Sequence, residues 1–589
     1  MLCYSNTNSP YVVIHYKGAN MLRTLFKKHA ISKTISVLLI FITVALIITS
    51  DNDKHATTEE ADNLAKRANK AFESGNYKLA ASYFEAALVK YLQNDADHSQ
   101  IANLRNNLGV VWKELGDYEK SLDHFQAAIE VYSEIVGNNP INSNTLQLNM
   151  ANSFLNISSI WLDRKEPDKA LSFIEASEEK YKESTTSKPK HTAAVLGNLA
   201  LYWTIKNNHG KAIELLKQAE SILLADGNNN LPLVAKTRVN LGNSMYELGD
   251  YDNSIKYIEM AVQNTESIYG MDHPSLALMW TTIGNAWNMK GNYDLALDYL
   301  TKALKSDLKN YGEEHPNVAI DWNNLANILI TMEDFDRAIE YGEKARTLLV
   351  KSFGKKYAGL SMVYGSIGTA YTKKGDYSSG ESYYKKALSL DTQLYGENHP
   401  LVANDMLNMS VIFQYQGLYE KSIDYLNRVE TITIKNLGEK HPNLVAVYTN
   451  LGVSWDSMGE LEKAFSYYEK ALQINIEAFG EKHPDVAMLN GNIAILLAKQ
   501  GDYTRSIQRF DYALKASIRT YGEITLVVSE LQENYAVALY GAGNRTKAKN
   551  LFTKSFETRE KLLGSDHPIT LHSKNRLSEI SRIITHSMD

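Results

Sequence analysis

Cysteine and proline are scarce in this sequence. The only cysteine among the 589 residues is Cys3, which excludes an intrachain disulfide and any zinc site built from several cysteines. Only 11 prolines occur, whereas tyrosine is frequent at 36, and a chain with few prolines and many Leu, Ala and Lys residues favours helices. With 44% hydrophobic and 22% charged residues, the composition is that of a globular chain rather than a disordered one.

Motifs of common enzyme classes are also missing. The sequence contains no Gly-x-x-x-x-Gly-Lys-Ser/Thr phosphate-binding loop, no His-Glu-x-x-His and no Gly-x-Ser-x-Gly. We therefore predict that the protein is not an enzyme. We expect no catalytic residues, no metal site, no cofactor and no small-molecule substrate.

The first 50 residues lack acidic side chains but contain five basic ones: Lys17, Arg23, Lys27, Lys28 and Lys33. The rest of the chain carries 57 basic and 68 acidic residues, a net charge of −11, which argues against a nucleic-acid partner. Residues 34–50, TISVLLIFITVALIITS, are uncharged and mostly apolar, with basic residues before them and acidic residues after. This pattern predicts a basic cytoplasmic leader at 1–33, a transmembrane anchor or signal-peptide core at 34–50, and a linker at 51–59.

The expected location is therefore membrane-anchored through residues 34–50 with the body outside the cytoplasm, or exported after cleavage. Ile48 and Ser50 make a poor cleavage site before Asp51, which favours the uncleaved anchor. Met21 begins a more typical leader than Met1, so either could be the true start.

A Gly-Asp-Tyr signature and its variants recur every 42 residues. Including drifted copies, we predict turns near residues 75, 116, 165, 207, 249, 291, 333, 375, 417, 459, 501 and 543. Each turn joins two segments with helical spacing of apolar residues, and small residues recur on both sides of it, such as Gly284 and Ala296. Small side chains let the two helices approach closely. The sequence thus predicts an all-α fold of stacked helix pairs.

This pattern resembles the tetratricopeptide repeat, and the (Tyr/Phe)-Gly-x-x-His-Pro linkers with the 42-residue period resemble the kinesin light chain subtype. The resemblance covers about residues 60–583. It implies a right-handed α-solenoid of about twelve helix pairs with a concave peptide-binding groove. The segment after Pro568 is expected to form a closing helix that caps the solenoid, followed by a tail at 584–589.

Six histidines occupy one column before proline: His273, His315, His399, His441, His483 and His567. Successive copies are one helix pair apart, about 16–20 Å, and therefore cannot share a metal ion. We interpret them as linker residues, with a left-handed glycine ending one helix and proline beginning the next. The linkers FGKKYA at 353–358 and YGEITL at 521–526 lack His-Pro. With Gly342 and Gly380 nearby, the first suggests a softer joint at about 333–380.

Asparagine recurs nine residues before most turns, although it is a mediocre helix former. Its side-chain amide both donates and accepts hydrogen bonds, as a peptide group does. The column could hold an extended peptide by its main chain, or each residue could bond within the protein. The position of this column in similar repeats favours the first interpretation. The predicted groove residues in this column are Asn198, Asn240, Asn324, Asn408, Asn450, Asn492 and Asn534. Asn243, Asn285 and Asn327 lie three residues further along, one helical turn away on nearly the same face, and are predicted to join them.

The sequence therefore predicts a non-catalytic scaffold that binds an extended peptide or a partner protein in its concave groove, tethered to a membrane or exported. An alternative is a sensor or scaffold subunit of a larger membrane signalling or assembly complex, with no peptide in the groove. An enzyme built on the repeats is the least favoured hypothesis.

Overall fold

The computed structural model of the protein describes residues 54–73, 76–93, 97–115, 117–138, 144–184, 188–226 and 230–586. Over these residues the chain folds into 25 helices and no strands. The predicted all-α class is therefore confirmed. The segments expected to be a leader (1–33) and an apolar span (34–50) lie outside the described residues. The first helix begins at Lys54, inside the predicted linker.

The helices form twelve consecutive pairs, each joined by a short turn, and one final helix. The first six pairs are α1 (Lys54–Glu73) and α2 (Tyr77–Gln93), α3 (His98–Glu114) and α4 (Tyr118–Asn138), α5 (Asn144–Asp163) and α6 (Pro167–Glu183), α7 (Pro189–Ile205) and α8 (His209–Ala225), α9 (Leu231–Glu247) and α10 (Tyr251–Tyr269), α11 (Ser275–Met289) and α12 (Tyr293–Tyr311).

The second six pairs and the closing helix are α13 (Pro316–Thr331) and α14 (Phe335–Phe353), α15 (Gly359–Lys374) and α16 (Tyr377–Tyr395), α17 (Pro400–Tyr415) and α18 (Tyr419–Leu437), α19 (Asn443–Ser457) and α20 (Leu461–Phe479), α21 (Pro484–Lys499) and α22 (Tyr503–Tyr521), α23 (Leu526–Gly541) and α24 (Arg545–Leu563), and α25 (Pro568–His586). Two compact units are present, the described residues up to Thr237 and those from Arg238 onward.

Within a pair, a small residue of the first helix faces a large residue of the second. A Cβ atom at Gly242 would lie 2.5 Å from Ile258 Cγ1, and one at Gly452 would lie 2.5 Å from Tyr468 Cε1. In both cases the large residue follows sixteen positions after the glycine. The small-residue column therefore sets how closely the two helices pack, because core side chains interdigitate at nearly crystalline density.

In ten of the turns within pairs, from residue 165 to residue 543, the structure describes a residue with positive φ. This residue is glycine in seven described turns, but Lys165, Asn207 and Glu333 adopt φ of 58°, 56° and 61°. These are positions where the sequence signature drifts. The fold therefore keeps the left-handed turn even where a side chain makes it costly, by about 1–2 kcal/mol for a residue such as Lys or Glu.

The six His-Pro linkers share one local structure. In each, the histidine Nδ1 accepts a hydrogen bond from the N–H of the residue after proline, for example from Asn317 to His315 at 3.2 Å. At four of the six, His273, His315, His399 and His483, an aromatic ring four residues earlier stacks on the histidine, as Tyr311 does on His315 with ring centroids 4.4 Å apart. The histidines are therefore helix caps, and Pro316 occupies the first helical turn.

Two local expectations differ from the structure. Gly270, which ends α10, has φ 88° and ψ 169°, so it adopts an extended positive-φ conformation accessible essentially to glycine alone instead of the left-handed helical one. At the predicted softer joint, a Cβ at Gly342 would lie 2.5 Å from Ile367 Cγ1, and one at Gly380 would lie 2.4 Å from Thr372 Oγ1. These two glycines permit close packing and give no support to a softer joint.

The predicted membrane-anchored location requires correction. None of the helices in the described part of the chain combines the length and apolar character that a bilayer-spanning helix needs. The finding contradicts the expected membrane anchor and extracytoplasmic body, and the apolar run at 34–50 lies outside the described residues.

Candidate functional site

The first helices of successive pairs form one face of each unit. In the second unit α13 contacts α15, α15 contacts α17, α17 contacts α19 and α21 contacts α23; in the first unit α3 contacts α5 and α5 contacts α7. Contacts of similar extent between successive second helices are absent from the described chain. The first helices therefore lie on the side with the smaller radius, which is the concave side of a helical solenoid.

Side chains on this face bridge successive first helices. Gln414 Nε2 of α17 donates to the Asn450 carbonyl and to Ser454 Oγ of α19, both at 2.9 Å. Lys499 Nζ of α21 contacts both carboxylate oxygens of Asp456 at 2.7 Å, and this ion pair links the C-terminal ends of α19 and α21. Sequence reasoning missed these bridges, because glutamine does not recur in the column of Gln414 and lysine recurs in the column of Lys499 only at Lys373.

The predicted asparagine ladder lies on the first helices, but its members differ in exposure. Asn324 and Asn450 are buried, each only 5% exposed, whereas Asn243 is exposed. The other seven are half-buried: Asn198, Asn240, Asn285, Asn327, Asn408, Asn492 and Asn534. The accessible amides are therefore concentrated among the half-buried members and Asn243.

Two ladder residues already bond within the protein. Asn198 Nδ2 donates to the Leu155 carbonyl at 3.1 Å and to Ser158 Oγ at 2.9 Å, which ties α7 to α5. Asn450 Nδ2 donates to the Ala446 carbonyl of its own helix at 2.9 Å. By contrast, the buried Nδ2 of Asn492 has no hydrogen-bond partner within the described protein. Asn198 and Asn450 are thus structural residues, whereas the Asn492 amide is left without a bonding partner among the described residues.

A charged cluster lies on the inner face of the first unit. Lys113 Nζ of α3 donates to Ser159 Oγ and lies 3.9 Å from Asp163 Oδ2, both on α5. Lys236 of α9 interacts electrostatically with Lys113 and Asp163. Lys236 and Asp163 are solvent-exposed, and yet surrounding protein lowers the pKa of Lys236 and raises that of Asp163. Exposure to water combined with many protein neighbours is expected for residues on a concave surface.

Two pairs of buried carboxyl groups lie between helix pairs, away from solvent. Asp307 of α12 faces Asp321 of α13, and two repeats later Asp391 of α16 faces Asp405 of α17; all four are 4–6% exposed. Burial, and secondarily the neighbouring carboxyl group, raises the pKa of Asp321 and of Asp405 to about 8. Because these groups are enclosed by packed helices, we expect them to affect the pH dependence of stability and not to act on a substrate.

No group of three or more His, Cys, Asp or Glu side chains within the described residues is arranged to hold a metal ion. The six linker histidines each cap a different helix, a role that the sequence reasoning did not predict.

Comparison with known proteins identifies the repeats. Models described as tetratricopeptide repeat match residues 59–134, 233–309, 277–349, 359–435 and 455–519, and a second model with the same description matches residues 531–569. No curated protein matches the chain.

Several solved structures are similar to parts of the chain. BtubC (BKLC) from P. vanneervenii is 20% identical, with a TM-score of 0.32 and coverage of 38% of this chain and 89% of that one. A Podosopora anserina putative kinesin light chain with nearly identical TPR-like repeats is 16% identical, with a TM-score of 0.30 and coverage of 35% and 98%. The apo form of the quorum sensor NprR from B. thuringiensis is 14% identical, with a TM-score of 0.45 and coverage of 61% and 98%.

One kind of helix-turn-helix repeat accounts for the 42-residue spacing, the small residue that faces a large one and the positive-φ turns. Since the matches to that unit together span more than half of the sequence, the chain belongs to the tetratricopeptide repeat family, a family of protein-interaction scaffolds.

Proposed function

We propose that this protein is a non-catalytic scaffold that binds an extended peptide, or an extended segment of a partner protein, along the concave face of its first helices. One observation carries the proposal: amide side chains recur at the same repeat position on successive first helices, and most remain partly accessible. Each amide offers one acceptor and donors, which matches the hydrogen-bonding groups of a peptide main chain.

The geometry of the face also suggests a register for the bound chain. Neighbouring first helices that contact each other are about 8–10 Å apart, and an extended chain rises about 3.3 Å per residue. One asparagine per repeat therefore meets the peptide at about every third residue. Main-chain recognition of this kind tolerates many sequences, and selectivity then comes from variable positions such as Lys236 and Asp163.

A second candidate has specific support. Asn198 and Asn450 already bond within the protein, which is what a purely structural column would show. In that case the solenoid would serve as a sensor or scaffold subunit of a larger assembly with no peptide in the groove.

The two candidates are separated by peptide selection on the full-length protein. A random peptide library is displayed on phage, a binder is selected, and its Kd is measured by fluorescence anisotropy. The test variant combines Asn243→Ala, Asn285→Ala and Asn327→Ala, which are accessible, and spares the buried Asn324 and Asn450. We expect a loss of about tenfold to a thousandfold in affinity, because each of the three lost hydrogen bonds contributes about 0.5–1.5 kcal/mol.

The matched control is Asn427→Ala with Asn550→Ala, two exposed asparagines on second helices. It should leave the Kd unchanged. A second check uses the selected peptide with N-methyl amides at every third residue, in the three possible registers. One register should bind worse than the other two if the asparagines hold the main chain. Equal binding of the triple variant and the wild type would exclude the ladder as the binding element and favour the second candidate.

A further inference from the structure

The second unit contacts itself between two segments that are far apart in sequence. The turn between α9 and α10 lies against the linker between α20 and α21: a Cβ at Gly249 would lie 2.2 Å from Pro484 Cδ and 3.6 Å from His483 Cδ2. The His483 ring also forms a hydrogen bond with the backbone of Glu247. Since its Nδ1 accepts from the Asp485 N–H at 3.3 Å, the bond to Glu247 uses the Nε2–H of the neutral ring.

The same contact recurs one repeat later on both sides. Gly291 follows Gly249 by 42 residues, and Thr525 follows His483 by 42 residues. A Cβ at Gly291 would lie 3.9 Å from Thr525 Cγ2. The contact is therefore in register with the repeat, as expected where one superhelical turn rests on the next. We name Gly249, Tyr251, Gly291, His483, Pro484 and Thr525 the seam.

Burial distinguishes the seam from equivalent positions elsewhere. His483 is 5% exposed, whereas the other five His-Pro histidines are half-buried. Tyr251 is 4% exposed, whereas the tyrosines at the same repeat position, Tyr293 and Tyr377, are half-buried. Burial also raises the pKa of Glu247 to about 7. The seam is thus a packed interface rather than an incidental approach of two loops.

The helices between the two sides of the seam form a closed circuit. Their first helices, α11 to α19, present their concave face to its interior, together with the ladder residues Asn285, Asn327 and Asn408. We propose that the seam encloses the concave face of the sixth to tenth pairs, so that this part of the groove accepts an extended chain entering by its end and excludes a folded domain. The proposal rests on the proposed function of the groove.

Closure is tested first, without any ligand. The chain has one cysteine, so Cys3→Ser followed by Asn253→Cys and Lys482→Cys places spin labels at two exposed positions beside the seam. Pulsed electron–electron double resonance should give a single narrow distribution of short distances between the two spin labels. Gly249→Gln should lengthen and broaden it. The matched control is Gly417→Gln, because Gly417 has a φ of 74° against 72° at Gly249, but a Cβ there would meet nothing within 4 Å.

End-on entry is tested with the library-selected peptide in two forms, free and flanked at both ends by small folded domains. On the wild type, the flanked form should associate at least about tenfold more slowly, because it requires the seam to open. Gly249→Gln should remove most of this difference, and Gly417→Gln should keep it. Cross-linking the two introduced cysteines with a bismaleimide should prevent association of the flanked form and leave association of the free form unchanged. This test does not require the Gly249→Gln variant to fold.

A long or broad distance in the wild type overturns the seam even if peptides bind. A closed seam with equal rates for both peptide forms overturns end-on entry and leaves the proposed function intact. If no library peptide binds a wild type whose seam is closed, the groove function fails and end-on entry falls with it, while the seam remains as a structural contact.

Discussion

Replacing Asp321 by asparagine should stabilise the protein at neutral and alkaline pH and have little effect in acid. Asp321 is 6% exposed and faces Asp307, which is 5% exposed. Burial first, and the carboxyl group of Asp307 second, raises the pKa of Asp321 to about 8. In the unfolded chain the same group titrates near pH 4.

The sign follows from proton binding. Between about pH 4 and pH 8 the folded protein holds a proton on Asp321 that the unfolded chain has released, so stability falls as pH rises, by about 1.4 kcal/mol per unit. At pH 7 the carboxyl group therefore costs about 4 kcal/mol relative to acid conditions, and the loss stops near pH 8. Asparagine has a similar shape and no charge, and should remove this slope.

The measurement is urea denaturation, followed by circular dichroism, at pH 5, 6, 7 and 8. The difference between Asp321→Asn and wild type should increase from about 1 kcal/mol at pH 5 to several kcal/mol at pH 8. Asp405→Asn should behave in the same way, because Asp405 is 6% exposed and faces Asp391. As a control, Asp336→Asn removes an exposed carboxylate paired with Lys374 and should change stability by less than about 1 kcal/mol.

A gain of equal size at pH 5 and pH 8 would contradict this reasoning, because it would show that Asp321 is destabilising for a reason other than its proton. A loss at every pH would show that the carboxyl group makes a stabilising hydrogen bond that asparagine cannot replace.

Three further changes test other parts of the fold by urea denaturation. Glu333→Gly should stabilise by about 1 kcal/mol, because Glu333 has a φ of 61°. Arg559→Met should destabilise by about 3 kcal/mol, because it removes the buried guanidinium that bonds Glu533 and leaves that carboxylate with the more exposed Arg576, 3.6 Å away. His315→Ala should destabilise by about 1 kcal/mol above pH 6.5, because it removes the cap to Asn317. The effect should be smaller in acid, because burial lowers the pKa of His315 and the stability contributed by the neutral ring is lost as the pH falls through the folded-state pKa.

Each of these changes has a control of the same chemistry elsewhere. Glu340→Gly, in the exposed part of α14, should destabilise by about 1 kcal/mol, the opposite sign to Glu333→Gly. Arg545→Met and His98→Ala alter exposed side chains and should be nearly neutral. If Glu333→Gly destabilises as Glu340→Gly does, the left-handed turn is not a source of strain.

The repeat architecture could be predicted from the sequence because its determinants are local. A glycine or its substitute at the turn and a small residue sixteen positions before a large one act within a single helix pair. The proline after each of the six linker histidines acts on the start of the next helix. The linker glycines were predicted to be left-handed helical, and that was wrong for Gly270, because sequence indicates a positive φ but leaves ψ undetermined.

Features that depend on the curvature of the superhelix could not be predicted. Gly249 and Gly417 occupy the same position of their repeats, and only the folded structure shows that Pro484 lies against the first and not the second. For the same reason, the sequence places Asn198 and Asn243 in one ladder, although Asn198 bonds to α5 and Asn243 is exposed. Whether the ladder binds a peptide stays a prediction.

The spacing of the seam limits how this protein can gain or lose whole repeats. Repeat proteins commonly change length by duplication or deletion of a unit, and a change outside the circuit leaves its partners matched. Deleting one 42-residue unit between Gly291 and His483 would instead bring Thr525 opposite Gly249 and His567 opposite Gly291. The number of units within the circuit is therefore expected to be constant among relatives that retain the His483–Pro484 contact, while the number at the chain ends is free to vary.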